Sequence, residues 1–362
     1  MIVSGPIARG VALALASLLA GCTVGPDYVR PDADVPSAYK EMPAAKAMPA
    51  AKVAEPREAE PRGRWWAIYD DPQLDALQAA VTAANQDLRS AEANYRQSIA
   101  FVAQSRAGLY PAIGATADAT RARQRGVTAS QYSLAAPIDW EIDLWGRVRR
   151  SVESAEDTAQ ASAADLESMR LSLHAQLAQS YFALRATDRG KKLLDDTVAA
   201  YQRGLQLTQN RYNAGVAARS DVVQAETQLQ NAQVQAVDIG VTRAQLEHAI
   251  AVLIGKPASE FSLPPIDRPS TLPAIPAAVP SELLERRPDI AAAERRVAAA
   301  NAQIGVATAA FYPTVSLSGS IGFASATLGS WLALPNRAWS LGASLATPLF
   351  DAGLRQAPVL LP

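Results

Sequence analysis

With 34 basic against 35 acidic side chains in 362 residues, the chain has a net charge of −1 and no electrostatic footprint for nucleic acid. At 49% hydrophobic residues it can bury a large core, its single cysteine excludes an intrachain disulfide, and no run of 18 consecutive apolar residues offers a helical membrane span.

The chain begins with an export signal over residues 1–21. Arg9 precedes the apolar run Val11 to Ala20, which is too short to span a bilayer and ends in small residues. Leu19-Ala20-Gly21-Cys22 is similar to a bacterial lipobox, which makes Cys22 the acylated first residue of the mature protein. Several acyl chains at about 0.8 kcal/mol per buried methylene give a stable anchor. Residues 22–63 follow as a lipid-anchored tether, rich in Pro, Ala, Glu and Lys and unable to bury enough apolar surface to order itself. Trp65 and Trp66 read as packing anchors, and Asp71-Pro72 as an N-cap with proline at the first helical position.

From there a helix-to-strand unit occurs twice, 202 positions apart. Asp87, Ala91, Glu92, Tyr110 and Pro111 recur as Asp289, Ala293, Glu294, Tyr312 and Pro313. In the first copy Leu74, Leu77, Val81, Ala84, Leu88, Ala91 and Tyr95 form a coiled-coil seam; in the second, Ile290, Ala293, Val297, Ala300, Ile304 and Ala307 do so. Each helix stops at its Tyr-Pro pair.

The strands that follow alternate apolar and small polar residues for about ten positions, the length of a tilted strand crossing a bilayer. Hairpins are expected over 112–141 and 314–350. On one side stand Tyr132, Leu134, Ala136, Ile138 and Trp140, then Val315, Leu317, Ile321 and Phe323, then Trp339, Leu341 and Leu345. On the other, facing a water-filled lumen, stand Thr116, Asp118, Ser316, Ser318 and Ser344. Two hairpins of a soluble sandwich would alternate in the same way.

Residues 147–254 read as a long helical hairpin completing the first structural repeat, 64–255. Its first arm, about 65 residues at 1.5 Å each, is roughly 100 Å long. Its seam runs Val148, Val152, Ala155, Ala159, Ser162, Leu166, Met169 and Leu173, and the returning arm uses Val222, Ala225, Leu229, Ala232, Ala236, Ile239, Leu246, Ile250 and Leu253. The arms meet in a turn from Arg211 to Asp221, where Gly215 fits a left-handed C-cap and Ser220 or Asp221 can cap the next helix. A Pro-rich linker, 256–280, leads to the second repeat, 281–355. That repeat stops soon after Arg355, and the tail 356–362 has two prolines and no heptad. The expectation is a truncated product whose second helical hairpin is missing.

Cys22-Thr23-Val24-Gly25-Pro26-Asp27-Tyr28, Trp65-Trp66, Arg211-Tyr212 with Gly215 and Asp221-Val222, and Leu284-Glu285-Arg286-Arg287-Pro288-Asp289-Ile290 together resemble the outer-membrane efflux channel family, in its TolC-like, NodT-type lipoprotein branch. The resemblance implies a mainly α fold with transmembrane β. Four strands per chain would enter a shared twelve-stranded barrel of a homotrimer, continued by an α-helical tunnel through the periplasm. It implies a passive export duct for small molecules, docked to a periplasmic adaptor and an inner-membrane pump of the resistance-nodulation-division type. Arg211, Tyr212, Gly215, Val216 and Asp221 would form the periplasmic tip that meets the adaptor, although family members commonly carry a larger apolar residue at the position of Ala217.

Four strands cannot close a barrel, and open edges are not tolerated in lipid, so several chains must share one sheet. An enzyme reading finds no support: His174 and His248 read as solvated helix-face residues, and there is no metal-spaced cluster, nucleophile elbow or Walker loop. A periplasmic coiled-coil scaffold or adaptor lipoprotein without a pore is the alternative that keeps the lipobox and the helices. No cofactor is expected.

Overall fold

The computed structural model describes residues 23–31, 63–266, 273, 286–353 and 355–356. The export signal, Cys22, most of the tether and linker, and residues 357–362 lie outside these. The elements are α1 (Pro72–Ala84), α2 (Gln86–Ala107), β1 (Ala112–Ile113), β2 (Thr116–Gln124), β3 (Val127–Ile142), α3 (Arg147–Asn213), α4 (Arg219–Leu253), α5 (Pro288–Ala309), β4 (Thr314–Ser325) and β5 (Arg337–Ala346).

The 202-residue repeat is kept to the residue, because α2 and α5 are both 22 residues long and share bounds at that offset. Each helix ends identically, with Tyr110 N donating to Ala107 O and Tyr312 N to Ala309 O, both at 3.1 Å, before its proline. One expectation is corrected here. The first seam is not one helix but two, broken at Asn85 (φ −64°, ψ 130°). Buried Asn85 accepts from Leu88 N at 2.9 Å and donates from Nδ2 to Leu253 O at 2.9 Å, so it ends α1, caps α2 and ties both to the end of α4. At the equivalent position Arg287 also interrupts helix, immediately before Pro288.

Contacts divide the chain into two units. The first takes residues 1–34, 94–164 and 289–362 and holds the sheet. Its strands run β1-β3-β4-β5, with β2 also on β3, all antiparallel. Arg125 (φ 49°) and Gly126 (φ 84°) make the two-residue β2–β3 turn, whose positive dihedrals suit the strand twist. β1 and β2 keep one register along β3. They separate opposite Pro137, which accepts from Gly114 N at 3.0 Å but has no N–H to return.

The helical part of this unit corrects a second expectation. On α5 the predicted seam faces inward only in part: Ile290, Ile304 and Ala307 are half-buried, Ala293, Ala300 and Val297 (56%) are exposed, and the buried positions include Ala291, Ala292, Ala298, Ala299, Ala302 and Ala309. Small residues win because backbone lies close by. The segment 23–31 is strapped across α3 and α5: a Cβ on Gly25 (φ 93°) would stand 2.5 Å from Gly305 Cα. Arg150, its side chain 4% exposed, pairs with Asp27 at 2.6 Å and Glu153 at 2.8 Å, and Asn301 donates to Pro26 O at 2.9 Å. The Gly-Pro-Asp motif is thus a docking motif.

The second unit takes residues 35–93 and 165–288. Here leucine dominates: Leu74, Leu77, Val81, Leu88, Leu173, Leu177, Leu184 and Ile250 are buried. Met169, expected in the seam, is 40% exposed. Asp71 caps α1 by accepting from Gln73 N (2.9 Å) and Leu74 N (3.2 Å). The predicted seam of α4 is buried or half-buried throughout, while Val223, Val234, Val237 and Val241 on another side are exposed.

His174 corrects a third expectation, being buried rather than solvated. Its ring stacks on Trp66 with centroids 4.6 Å apart. Gln78 Nε2 donates to His174 O at 2.9 Å, which leaves Gln78 Oε1 to accept from the ring Nδ1–H and Nε2 to accept from Thr82 at 3.3 Å. Burial first, and Arg170 second, lower its pKa below the usual histidine value of 6.5. Above that value the ring is neutral in both folded and unfolded states. Below it the unfolded chain takes up a proton that the folded chain refuses, so stability falls with pH by up to about 1.4 kcal/mol per unit. Thermal midpoints of detergent-solubilised protein between pH 7.5 and 5 should therefore drop, and His174→Gln should flatten that slope. An unchanged slope in the variant removes His174 as the cause.

Candidate functional site

Register divides the sheet into two chemically distinct faces. Residues paired across an antiparallel ladder point to the same side. Ser316 stands between Glu141 and Ser344, Ser318 between Asp139 and Gly342, Thr116 opposite Ala135, and Asp118 opposite Ser133. All five residues predicted to face a lumen therefore share one face. The same face carries Asp139, Ser320 and Ser340, which alternation alone places on the polar side, and Glu141, which the cross-strand pairing adds; the two serine hydroxyls bond at 2.9 Å.

The opposite face carries Ile113, Tyr132, Leu134, Ile138, Trp140, Val315, Leu317, Ile321, Phe323, Trp339, Leu341 and Leu345. No second layer covers it among the described residues: every residue of β5 is exposed, with Leu341 at 82%, and Trp339 and Leu345 each at 70%. A soluble sandwich would bury this side against another sheet. An uncovered apolar face backed by a hydroxyl- and carboxylate-bearing one is a wall between hydrocarbon and water.

Its aromatic edge is level in a tilted sense. Phe323 lies two residues beyond Ile321, the partner of Trp339; Tyr132 lies two residues beyond Leu134, the partner of Phe323. Two residues are about 6.6 Å of strand for each roughly 4.8 Å step between strands, a slope of about 54°. Strands of a closed barrel tilt by a similar angle, so the three rings mark one horizontal line on it.

At the base of the sheet Trp145 stacks on Tyr312 (centroids 4.9 Å apart) and donates to Pro313 O at 2.7 Å. Val24 N donates to Trp145 O at 3.1 Å, and a Cβ on Gly146 (φ 81°) would stand 2.7 Å from the Thr23 methyl. Thr23 follows Cys22, which itself lies outside the described residues.

The turn between α3 and α4 is the second candidate site. Val216 N donates to Arg211 O at 2.9 Å and Gly215 N to Tyr212 O at 2.8 Å, a Schellman ending with Gly215 (φ 80°) in the left-handed region. Asp221 Oδ2 accepts from Ala218 N at 3.2 Å, which fixes the start of α4. Ala218 occupies the N-cap, so Ser220 is inside the helix and does not cap. Tyr212 is 39% exposed and Val216 66%, and the exposed Arg211 guanidinium has no hydrogen-bond or ion-pair partner among the described residues.

Two comparisons by sequence and one by structure agree with this geometry. The toluene efflux pump outer membrane protein TtgC of Pseudomonas putida is 33% identical over 353 residues, 94% of this chain and 72% of the relative. Outer membrane protein OprJ of Pseudomonas aeruginosa is 31% identical over 361 residues, 97% of this chain and 74% of the relative. The solved outer-membrane channel OprN superposes with a TM-score of 0.82 at 34% identity, over 93% of this chain and 76% of that one. The family model for outer membrane efflux proteins matches residues 77–256 and 279–359, so the chain belongs to the outer membrane efflux protein family.

Proposed function

We propose that three copies of this chain join β5 of one sheet to β2 of the next, making a twelve-stranded outer-membrane barrel. Its polar face lines a duct through which small molecules are exported. The carrying observation is the uncovered apolar face opposite a polar face that holds Asp118, Asp139, Ser316, Ser318 and Ser344. A scaffold without a pore gives that face nothing to meet. Three copies also give partners to the exposed valines of α4 and to Val297 of α5.

The turn at Arg211, Tyr212, Gly215, Val216 and Asp221 serves as the contact for a periplasmic adaptor, which in turn binds an inner-membrane pump of the resistance-nodulation-division type. A glycine-held turn presenting exposed Val216 beside an Arg211 without a partner among the described residues suits such docking. Cys22 carries the lipid anchor, and the strap that follows it, Thr23 to Arg30, begins against Gly146, next to the pair of Trp145 and Tyr312 at the base of the sheet.

Planar-bilayer recordings of the purified full chain test the duct. Discrete conductance steps with cation preference are expected, and Asp118→Asn with Asp139→Asn should shift the reversal potential toward zero under a salt gradient. If the double variant leaves selectivity untouched, the polar face is not the lumen wall.

A further inference from the structure

Charge is segregated between the two faces of the sheet. The strand carboxylates Asp118, Asp139 and Glu141 all lie on the polar side, whereas Arg121, Arg123 and Arg337 lie on the apolar side. These arginines are not scattered along the hydrophobic band. Arg337 is the next outward-facing residue beyond Trp339, and Arg121 the next beyond Ala119, which pairs with Tyr132. Arg121 stands where the line of Trp339, Phe323 and Tyr132 continues onto β2, and Arg123 and Arg337 stand one step past it, on the side of the Arg125-Gly126 turn and away from the helices.

All three are exposed, and none has a hydrogen-bond or ion-pair partner for its side chain among the described residues. One step past the aromatic line β3 and β4 present Ser130 and Ser325. β2 and β5 are the edges of the sheet, so closing a barrel from several copies brings Arg337 of one copy beside Arg121 and Arg123 of the next.

We infer that Arg121, Arg123 and Arg337 form a lipid-binding girdle that holds the phosphate groups of outer-leaflet headgroups at each seam between copies. The inference rests on the reading that the apolar face meets lipid. Arginine suits the role because its planar fork grips phosphate with two parallel hydrogen bonds. A guanidinium next to an aromatic belt sits where hydrocarbon gives way to headgroups, and the seam position makes the lipid a cement between subunits. Facing outward, these groups cannot serve a solute inside the duct.

The test adds bis-phosphorylated lipid A, dephosphorylated lipid A or inorganic phosphate to the detergent-solubilised full-chain oligomer. Retained lipid is read by native mass spectrometry and oligomer dissociation temperature by gel mobility. Bis-phosphorylated lipid A should be retained and raise the dissociation temperature. R121Q/R123Q/R337Q should need about tenfold more of it, a loss of about 1.4 kcal/mol, while the dephosphorylated lipid and free phosphate should do little to either protein. Equal retention by the triple variant, or an equal response to free phosphate or to the dephosphorylated lipid, overturns the girdle. Should the triple variant fail to assemble, R121Q and R337Q singly must each weaken retention, and unchanged retention in both overturns the inference. Bilayer conductance separates the two readings: a parent that conducts but ignores lipid phosphate sinks only the girdle, and one that never inserts sinks the channel as well.

Discussion

Asp188→Ala should cost about 3–5 kcal/mol and abolish folding of the second unit, because it takes the shared carboxylate from the buried Arg185 and the half-buried Arg243. Asp188, its side chain 2% exposed, accepts from Arg185 at 2.9 Å and from Arg243 at 2.7 Å. Those arginines go on to bind backbone: Arg185 donates to Pro264 O at 2.9 Å and Arg243 to Leu263 O at 2.5 Å. Glu247 accepts from Leu263 N at 2.5 Å, Gln73 accepts from Arg185, and Tyr181 stacks under Arg185 while donating to Asp71 at 2.7 Å. One carboxylate thus joins the start of α1, the middle of α3, α4 and the segment after it. Replacing Arg185, Asp188 and Arg243 by apolar residues of similar volume, with Glu247→Gln because Glu247 pairs with Arg243 at 3.3 Å, should be far milder than removing Asp188 alone, since no unpaired charge then remains. Chemical denaturation monitored by helical circular dichroism gives both values. A loss below about 1 kcal/mol for Asp188→Ala would mean that water solvates the arginines, and the network would not be the fastener described here.

Gly322→Val should prevent assembly. A Cβ at Gly322 meets the Leu134 carbonyl oxygen and would stand 2.7 Å from Ala135 Cα. Both contacts are backbone, so no rotamer relieves them, and the penalty exceeds the about 1–3 kcal/mol of ordinary overpacking. The ladder at stake, β3 to β4, is the only joint between the two hairpins of the sheet among the described residues. Split there, each hairpin is too small to be stable and leaves open edges that lipid does not tolerate. Gly329→Ala is the matched control, because nothing lies within 4 Å of its Cβ position. Outer-membrane fractionation and unheated gel mobility should show the control as a parental oligomer and Gly322→Val as lost monomer. A Gly322→Val oligomer of normal heat resistance would contradict the close approach of β3 and β4.

Much of the sheet was legible because a strand needs only local alternation. Val315 to Phe323 and Trp339 to Leu345 show their two faces in the order of residues, and the cross-strand register sorts them in the same way. The same logic failed on α5. There, three-four spacing marked Val297 as core, but spacing says only that a stripe exists, not which of two stripes meets the protein's own backbone. Gly25 and Gly305 bring chain segments together too closely for any Cβ on Gly25, and a close approach between residues so remote in the chain has no local signature. Asn85 carried a readable hint, a capping residue inside a heptad run, and it was overridden by the periodicity around it. His174 was misread because its environment is made by Trp66 and Gln78, both far away in the chain.

The sequence by itself determined the repeat, which is a direct comparison of residues, and the long helices, the left-handed turn at Gly215 and the two chemically opposed strand faces, each of which depends on neighbours within a few turns of chain. Only the tertiary structure decided which helix faces are buried, that one aspartate ties three helices together, and that three arginines gather on the apolar face at one end of the sheet. Those outcomes depend on register and on distance between remote residues, which pairing in space sets and local order does not encode.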